Sequence, residues 1–332
     1  GYYFGQIRVL PQNSDQIYIL GVPLRCSTDG GKTFKAINDD NVHADHHALW
    51  CNPNKQGHLI NGNDGGINIS YDNGDNWMKC NNPAVWQFYT VAVDNEKPYN
   101  IYGGLQDNGV WVGPSTYTAS NKWHQDGEYP YKSVMGGDGM QIAIDERNSN
   151  IIYTGYQFGN YYRINRKSNK YTYISPKHEL GEHPLRFNWQ TPIHLSIHHQ
   201  DILYMGSHKL HRSLHQGDTW ENISDDLTQG GKKGNVAYGT LSSIHESPLK
   251  FGLLYTGSDD GLVHVSRDGG YSWTNISKGL PKNLWVSRVQ ASAHKEGTVY
   301  VSLNGYRWDD FSAYLYVSNN YGKTWTKLGT NL

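Results

Sequence analysis

The chain has 332 residues, 37 of them glycine, with 13% aromatic side chains and 29 basic against 30 acidic groups. A net charge of -1 and only 18% charged residues leave no electrostatic footprint for nucleic acid or an anionic membrane. No apolar run reaches the roughly 18 residues of a membrane-spanning helix, and abundant Gly, Tyr and Trp suit many short strands joined by tight turns. From the amino terminus, GYYFGQIRVL already reads as strand rather than signal peptide, so a mature chain or a piece of a longer one is expected. A short apolar strand closing on a small residue then recurs as IYILG (17–21), HLING (58–62), NIYGG (100–104), IIYTG (151–155), ILYMG (202–206), LLYTG (253–257) and TVYVS (298–302). The closing residues are 41 to 51 positions apart, room for four strands per repeat, the size of a propeller blade. The spacing predicts one all-β domain, a single seven-bladed β-propeller of four-stranded antiparallel blades. Its blades run over about 1–42, 43–84, 85–134, 135–186, 187–235, 236–284 and 285–332. No strand is left over to swap between the first and last blades, so closure is expected to rest on packing of blade faces.

A second signature follows the first at nearly fixed distance: STDGGKTF from Ser27, SYDNGDNW from Ser70, SLHQGDTW from Ser213, SRDGGYSW from Ser266 and SNNYGKTW from Ser318. These segments resemble the Asp box, Ser-x-Asp-x-Gly-x-Thr-Trp, of sialidases, xyloglucanases and sortilin-type propellers. In such a hairpin Ser and Asp side chains bond backbone groups, Gly supplies positive φ, and the aromatic fills the layer between blades. His215 and Asn320 replace the Asp in blades five and seven. Blades three and four lack the motif and keep only Trp123, or Tyr171 and Tyr173, where the aromatic should fall. Cys26, Cys51 and Cys80 cannot all pair and form no Cys-x-x-Cys, so small buried hydrophobes are expected rather than a redox or zinc motif.

Strand parity places the Asp-box hairpins and the one-to-two loops on one face, and the two-to-three turns and blade-to-blade crossings on the other. The first face carries ordinary solvated turns. The second gathers GNDGG (62–66), GLQDNG (104–109), GSDDG (257–261), the longer SLNGYRWDDFSA (302–313) and the crossing NVHADHH (41–47). Asp, Asn, Gln, His and aromatic groups converge there around the expected channel mouth, a mixture suited to hydroxyl-rich or peptidic ligands. The candidate ligand-binding residues are His43, Asp45, His46, His47, Asn63, Asp64, Gln87, Tyr89, Gln106, Asp107, Asp138, Gln157, Trp189, Asp259, Asp260 and Arg288. Each Asp can equally serve its own turn. Alternation along a strand would point His43, Asp45 and His47 one way and His46 the other, about 7 Å apart along one face, which is too far for one ion. No metal and no cofactor are expected.

The runs VHADHHALW, GNDGGINISYDNGDNW, WQFYTVAVD, RFNWQTPIHLS and GSDDGLVHVSRDGGYSWT together resemble bacterial sortilin-like and xyloglucanase-like Asp-box propeller proteins. The resemblance implies a secreted, periplasmic or cell-surface chain with one of two activities. One is non-catalytic binding of a glycan, peptide or protein. The other is inverting hydrolysis of β-glucan by paired Asp, with this chain as one half of a two-propeller enzyme and a second propeller or other domain as partner. The weak catalytic candidates are Asp64, Asp138 and Asp259. Sialidase chemistry needs an arginine triad, and the presumed face offers only Arg186, Arg288 and Arg307.

Overall fold

The structure, a computed structural model, describes residues 4–38, 41–80, 86–118, 120, 122, 130–234, 236–329 and 331. Its strands form seven four-stranded antiparallel sheets, each made of four strands consecutive in the sequence. This is the fold class read from the repeats, the seven-bladed β-propeller. Blades one and two lie in a compact unit, Gly1–Gln87, and blades three to seven in another, Phe88–Leu332. Within the second unit the first strands of successive blades pack side by side, from Phe88–Val93 through Ala143–Ile144, Ile193–Leu195 and Leu241–Glu246 to Trp285–Ala291.

The repeated strand explains itself through burial. Its tyrosine is fully buried in five copies, at Tyr18, Tyr102, Tyr153, Tyr204 and Tyr255. Each apolar cluster lies between two consecutive blades. Val263, Val265 and Ile276 of blade six, for example, meet Val286, Val299 and Val301 of blade seven. Each such side chain contributes about 1.5–3 kcal/mol when withdrawn from water, so the blade faces carry most of the stabilisation.

The Ser-x-Asp-x-Gly hairpins share one geometry. The serine Oγ accepts the amide of the glycine four residues on, at 2.9 Å for Ser27 and 2.8 Å for Ser70, Ser213, Ser266 and Ser318. Asp29 accepts the Thr33 hydroxyl and amide, and these bonds with that from Ser27 hold its carboxyl down to about 2. Asn320 does the same work for Thr324, so the substitution in blade seven costs no turn contact. The tryptophan then reaches the previous blade. Trp77 donates its indole N–H to Ile37 O at 2.6 Å, and Trp273 and Trp325 donate to Ile223 O and Ile276 O at 2.8 Å. Trp220 makes the equivalent bond to Ile174 O. Blade four lacks the motif, and there the Tyr171 hydroxyl bonds Val134 O of blade three at 2.7 Å. Trp123 lies outside the described residues.

The same isoleucines press on the next hairpin's glycine. A Cβ added at Gly270 (φ 98°) would come within 2.8 Å of Ile223 Cβ. Gly270→Ala is therefore expected to destabilise the chain by about 2 kcal/mol, from a left-handed alanine and a blocked blade contact together. Urea unfolding followed by tryptophan fluorescence measures it, and an unchanged midpoint would contradict this packing.

Each of these hairpins also bonds the one-to-two loop of its own blade. Gly30 N–H donates to Asp15 O and Gly269 N–H to Gly252 O, both at 2.9 Å, and Tyr321 N–H to Gly297 O at 2.7 Å. The two-to-three turns instead bond the crossings: Gly109 N–H donates to Gly137 O at 2.8 Å, and Asp259 N–H to Thr240 O at 3.0 Å. The two sets of loops separate as parity requires. All three cysteines are free, with Cys26 buried. No helix among the described residues is long and apolar enough to cross a membrane.

Candidate functional site

In the first unit the His43–His47 segment is not the continuous strand expected of it. The strand starts at His46, Asp45 adopts a φ of 62°, and the register shifts between His46 and Ala48. The cause is backbone tethering to blade one, where Asp45 N–H donates to Val22 O at 3.3 Å and His46 N–H to Gly21 O at 3.0 Å. The four polar side chains consequently separate. His43 is half-buried with Nδ1 3.0 Å from Ala44 O, and Asp45 is half-buried in the turn. His46 is 1% exposed with its Nδ1 2.9 Å from the Asn61 amide, and burial lowers its pKa against the opposing effect of that bond. His47 faces solvent, stacks on Phe4 and places Nε2 3.0 Å from Asp64 Oδ1. Asn63 serves its own turn, accepting Gly65 N–H at 3.0 Å and donating to Asn68 at 2.9 Å. Gln87 is exposed. The unit joins His47 to Asp64 directly, and it also brings the Asp45 and Asp64 carboxylates within 4.8 Å of each other.

In the second unit the candidates fall into three groups. Tyr89 accepts the Trp189 indole N–H at 3.1 Å, and Phe158 meets the same indole edge-on, so an aromatic cluster forms where blade three faces the 186–192 crossing. Burial raises the Tyr89 pKa. Gln157 stands beside this cluster in sequence, with Oε1 buried and lacking a partner among the described residues.

The second group is the pair of turns around Asp138. Asp138 is 6% exposed and accepts the Asp107 amide at 2.7 Å, while Asp107 itself sits at φ 61°. Gln106 is half-buried, its carbonyl accepting the Asn108 side chain at 3.1 Å.

The third group is buried. Asp259 and Asp260 are 1% and 0% exposed. Asp259 accepts the Gly239 and Thr240 amides at 3.0 Å, the Thr240 hydroxyl at 2.7 Å and the Asn188 amide at 3.3 Å. Burial raises its pKa, and the bonds from Thr240 oppose the rise. Asp260 accepts the Gln229 amide at 2.6 Å and the Ser258 hydroxyl. A ligand reaches these oxygens only by displacing the crossings they hold.

Arg288 leads instead to a cavity of about 190 Å³ within the second unit, at the beginnings of the first strands of blades four to seven. Gln141, Gln190, Trp285, Arg288, Asn304 and Arg307 line it, and two serines and Tyr306 complete the wall. Not one of these is a carboxylate. The Arg307 guanidinium lies over the Trp285 ring at 4.1 Å and the Tyr306 ring at 4.6 Å. Asn304 Oδ1 is buried and without a partner among the described residues. Ser242 and Ser287 spend their hydroxyls on Val286 O and Ser302, and Gln141 accepts the Ile193 amide. Polar capacity therefore remains on Gln190, Arg288, Asn304 and Arg307. Further along the first strands, His194, His245 and Gln290 stand in a row, with the imidazoles 5.3 Å apart and His245 Nε2 2.7 Å from the Gln290 amide. Burial lowers their pKa values to about 3 for His194 and about 4 for His245.

Of this cavity, the candidate set contained Arg288 alone. The signal for much of the rest was the length of the 302–313 turn, which folds into a 3-10 turn at Tyr306–Trp308 and carries Asn304, Tyr306 and Arg307 to the site.

No family model matches the chain. An oligoxyloglucan-reducing end-specific xyloglucanase from Emericella nidulans is 24% identical over 210 residues, 59% of this chain and 25% of that protein. The chain thus spans about a quarter of that relative's length. Among solved structures, a GH74 xyloglucanase from Xanthomonas campestris has a TM-score of 0.39 at 14% identity, over 99% of this chain and 61% of the other. YCF48 bound to D1 peptide has a TM-score of 0.42 at 10% identity, over 91% and 94%. Both scores lie under 0.5, and the fold rests on the strand order of the seven sheets.

Proposed function

We propose that the chain is a carbohydrate-binding propeller domain of the Asp-box class, working outside the cytoplasm through the face opposite its Asp-box hairpins. The observation that carries this reading is the cavity of the second unit: amide and guanidinium groups with free hydrogen-bonding capacity converge beside aromatic rings, and no carboxylate among the described residues lines it. Planar amides and guanidinium forks bond vicinal hydroxyl pairs, and rings cover the apolar faces of sugars. Similarity to a xyloglucanase makes β-glucan oligosaccharides the first ligands to try. Wild-type protein is expected to bind xyloglucan oligosaccharides in calorimetry without releasing reducing sugar. Gln190→Ala is expected to weaken binding about tenfold, the equivalent of roughly 1.4 kcal/mol. A peptide that binds while every oligosaccharide fails would overturn the reading.

Hydrolysis is the second reading, favoured by the same similarity. Inversion needs two carboxylates about 6.5–9.5 Å apart, and the described residues of the cavity supply neither. The acids would come from Asp64 or Asp138, or from a second propeller of the same parent chain. Reducing sugar released by the wild type and lost in Asp138→Asn would establish it.

A further inference from the structure

The geometry points to an acidic saccharide, one bearing a uronic acid, as the preferred occupant of the cavity in the second unit, with Arg288 and Arg307 gripping its carboxylate. This inference rests on the carbohydrate-binding reading and sharpens it.

Strand parity puts three arginines on the loop-rich face, Arg186, Arg288 and Arg307, and the structure separates them. Arg186 is already neutralised: its guanidinium donates to Asp226 at 2.6 Å and to Gly239 O at 3.0 Å. Arg288 and Arg307 make no ion pair among the described residues, yet both line the same cavity. Two guanidinium groups therefore share a small concave space with no counter-charge among the described residues of its wall. Like charges so placed repel one another and raise the local positive potential, and an anion entering the site relieves that cost.

Arg307 is also pre-positioned. Trp285 and Tyr306 hold its plane through cation–π contacts at 4.1 and 4.6 Å, so little side-chain freedom is lost when its N–H groups meet a carboxylate. A guanidinium matches a carboxylate with two parallel N–H···O bonds. Around this pair stand Gln190 and Asn304 Oδ1, which has no partner among the described residues, and both suit the ring hydroxyls of the same residue. The hydroxyl-directed groups favour a sugar acid over the carboxyl end of a peptide, whose neighbouring groups are amides.

The test uses the full chain and calorimetric titration with four probes: trigalacturonate, its methyl-esterified form, a neutral xyloglucan oligosaccharide, and a short peptide with a free C-terminal carboxylate. Trigalacturonate is expected to bind at least tenfold more tightly than its ester. Arg288→Gln should weaken trigalacturonate at least tenfold more than it weakens the ester or the neutral oligosaccharide, whose hydroxyl contacts to the same side chain are also reduced. Arg288 is exposed, and circular dichroism confirms that the variant folds. Arg307→Gln tests the second guanidinium independently, and Arg288→Lys should restore only part of the preference. Equal binding of acid and ester overturns this inference and leaves the carbohydrate reading standing. Binding of the ester and the neutral oligosaccharide alone does the same. No saccharide bound at all overturns both, and a C-terminal peptide carboxylate that outcompetes trigalacturonate overturns the saccharide assignment.

Discussion

The unfolding free energy of the chain is expected to fall by about 5 kcal/mol between pH 7 and pH 5, an unusually steep loss over a range in which few carboxylates titrate. Burial holds five imidazoles of the second unit neutral, with pKa values of about 3 for His194 and about 4 for His208, His211, His245 and His264. Three of them use a ring nitrogen as acceptor for a backbone N–H: His194 from Glu246, His208 from Arg186 and His245 from Ala291. Protonation would turn each acceptor into a donor facing a donor. The sign follows from proton counts. The unfolded chain takes up protons as pH drops through about 6.5, while the folded state takes them up only near 4, so the unfolded state binds more protons throughout that window. Stability is complete above about 6.5 and is lost progressively on acidification. The pKa difference alone gives about 2 kcal/mol per histidine by pH 5, and local rearrangement around rings that are in part only half-buried halves it to about 1 kcal/mol. Asp259 opposes the trend, because its raised carboxyl pKa favours the folded state on acidification, but it is one group against five. Urea unfolding at pH 7, 6 and 5 reads the slope, and His245→Gln should flatten it. A profile level over this range would mean that these imidazoles are hydrated.

The repeats exposed the fold because propeller blades are nearly autonomous in pattern. Each needs a buried second strand and a turn-forming hairpin, and both leave periodic residues such as Tyr102, Tyr153 and Tyr204 or Ser213 and Ser266. Blade pairing was legible too, once Trp and Tyr171 are seen to bond the preceding blade. The site was less legible, since its geometry depends on which side chains a neighbouring blade has already claimed. Nothing in GSDDG distinguishes a ligand-facing Asp from one that clasps a crossing twenty residues upstream. Arg186, Arg288 and Arg307 look alike in sequence, and only Asp226, opposite Arg186, separates them. The His43–His47 reading failed for a related reason: alternation assumes an unbroken strand, and the hydrogen bonds to Gly21 and Val22 break it.

Asp259→Ala is expected to cost about 4 kcal/mol of stability. Its carboxylate is the shared acceptor for two backbone amides, a hydroxyl and a side-chain amide that together hold the 188–191 and 239–240 crossings. Removing it leaves several donors buried without acceptors, each costing about 1–3 kcal/mol, with partial relief as water or neighbouring groups move in. Asp259→Asn is the sharper probe. The amide keeps the shape and one oxygen, yet its NH2 must face donors on the other side, so a loss of about half that size is expected. The exposed hairpin residue Asp268 makes a similar number of bonds, but water can replace them. Asp268→Ala is accordingly expected to cost far less. The comparison also bears on chemistry. A catalytic acid can usually be truncated with little loss of stability and a large loss of turnover, whereas a carboxylate that closes two crossings behaves the opposite way. Thermal and urea unfolding of the three variants decide between these roles, and a fully stable Asp259→Ala protein would return Asp259 to the set of candidate catalytic groups.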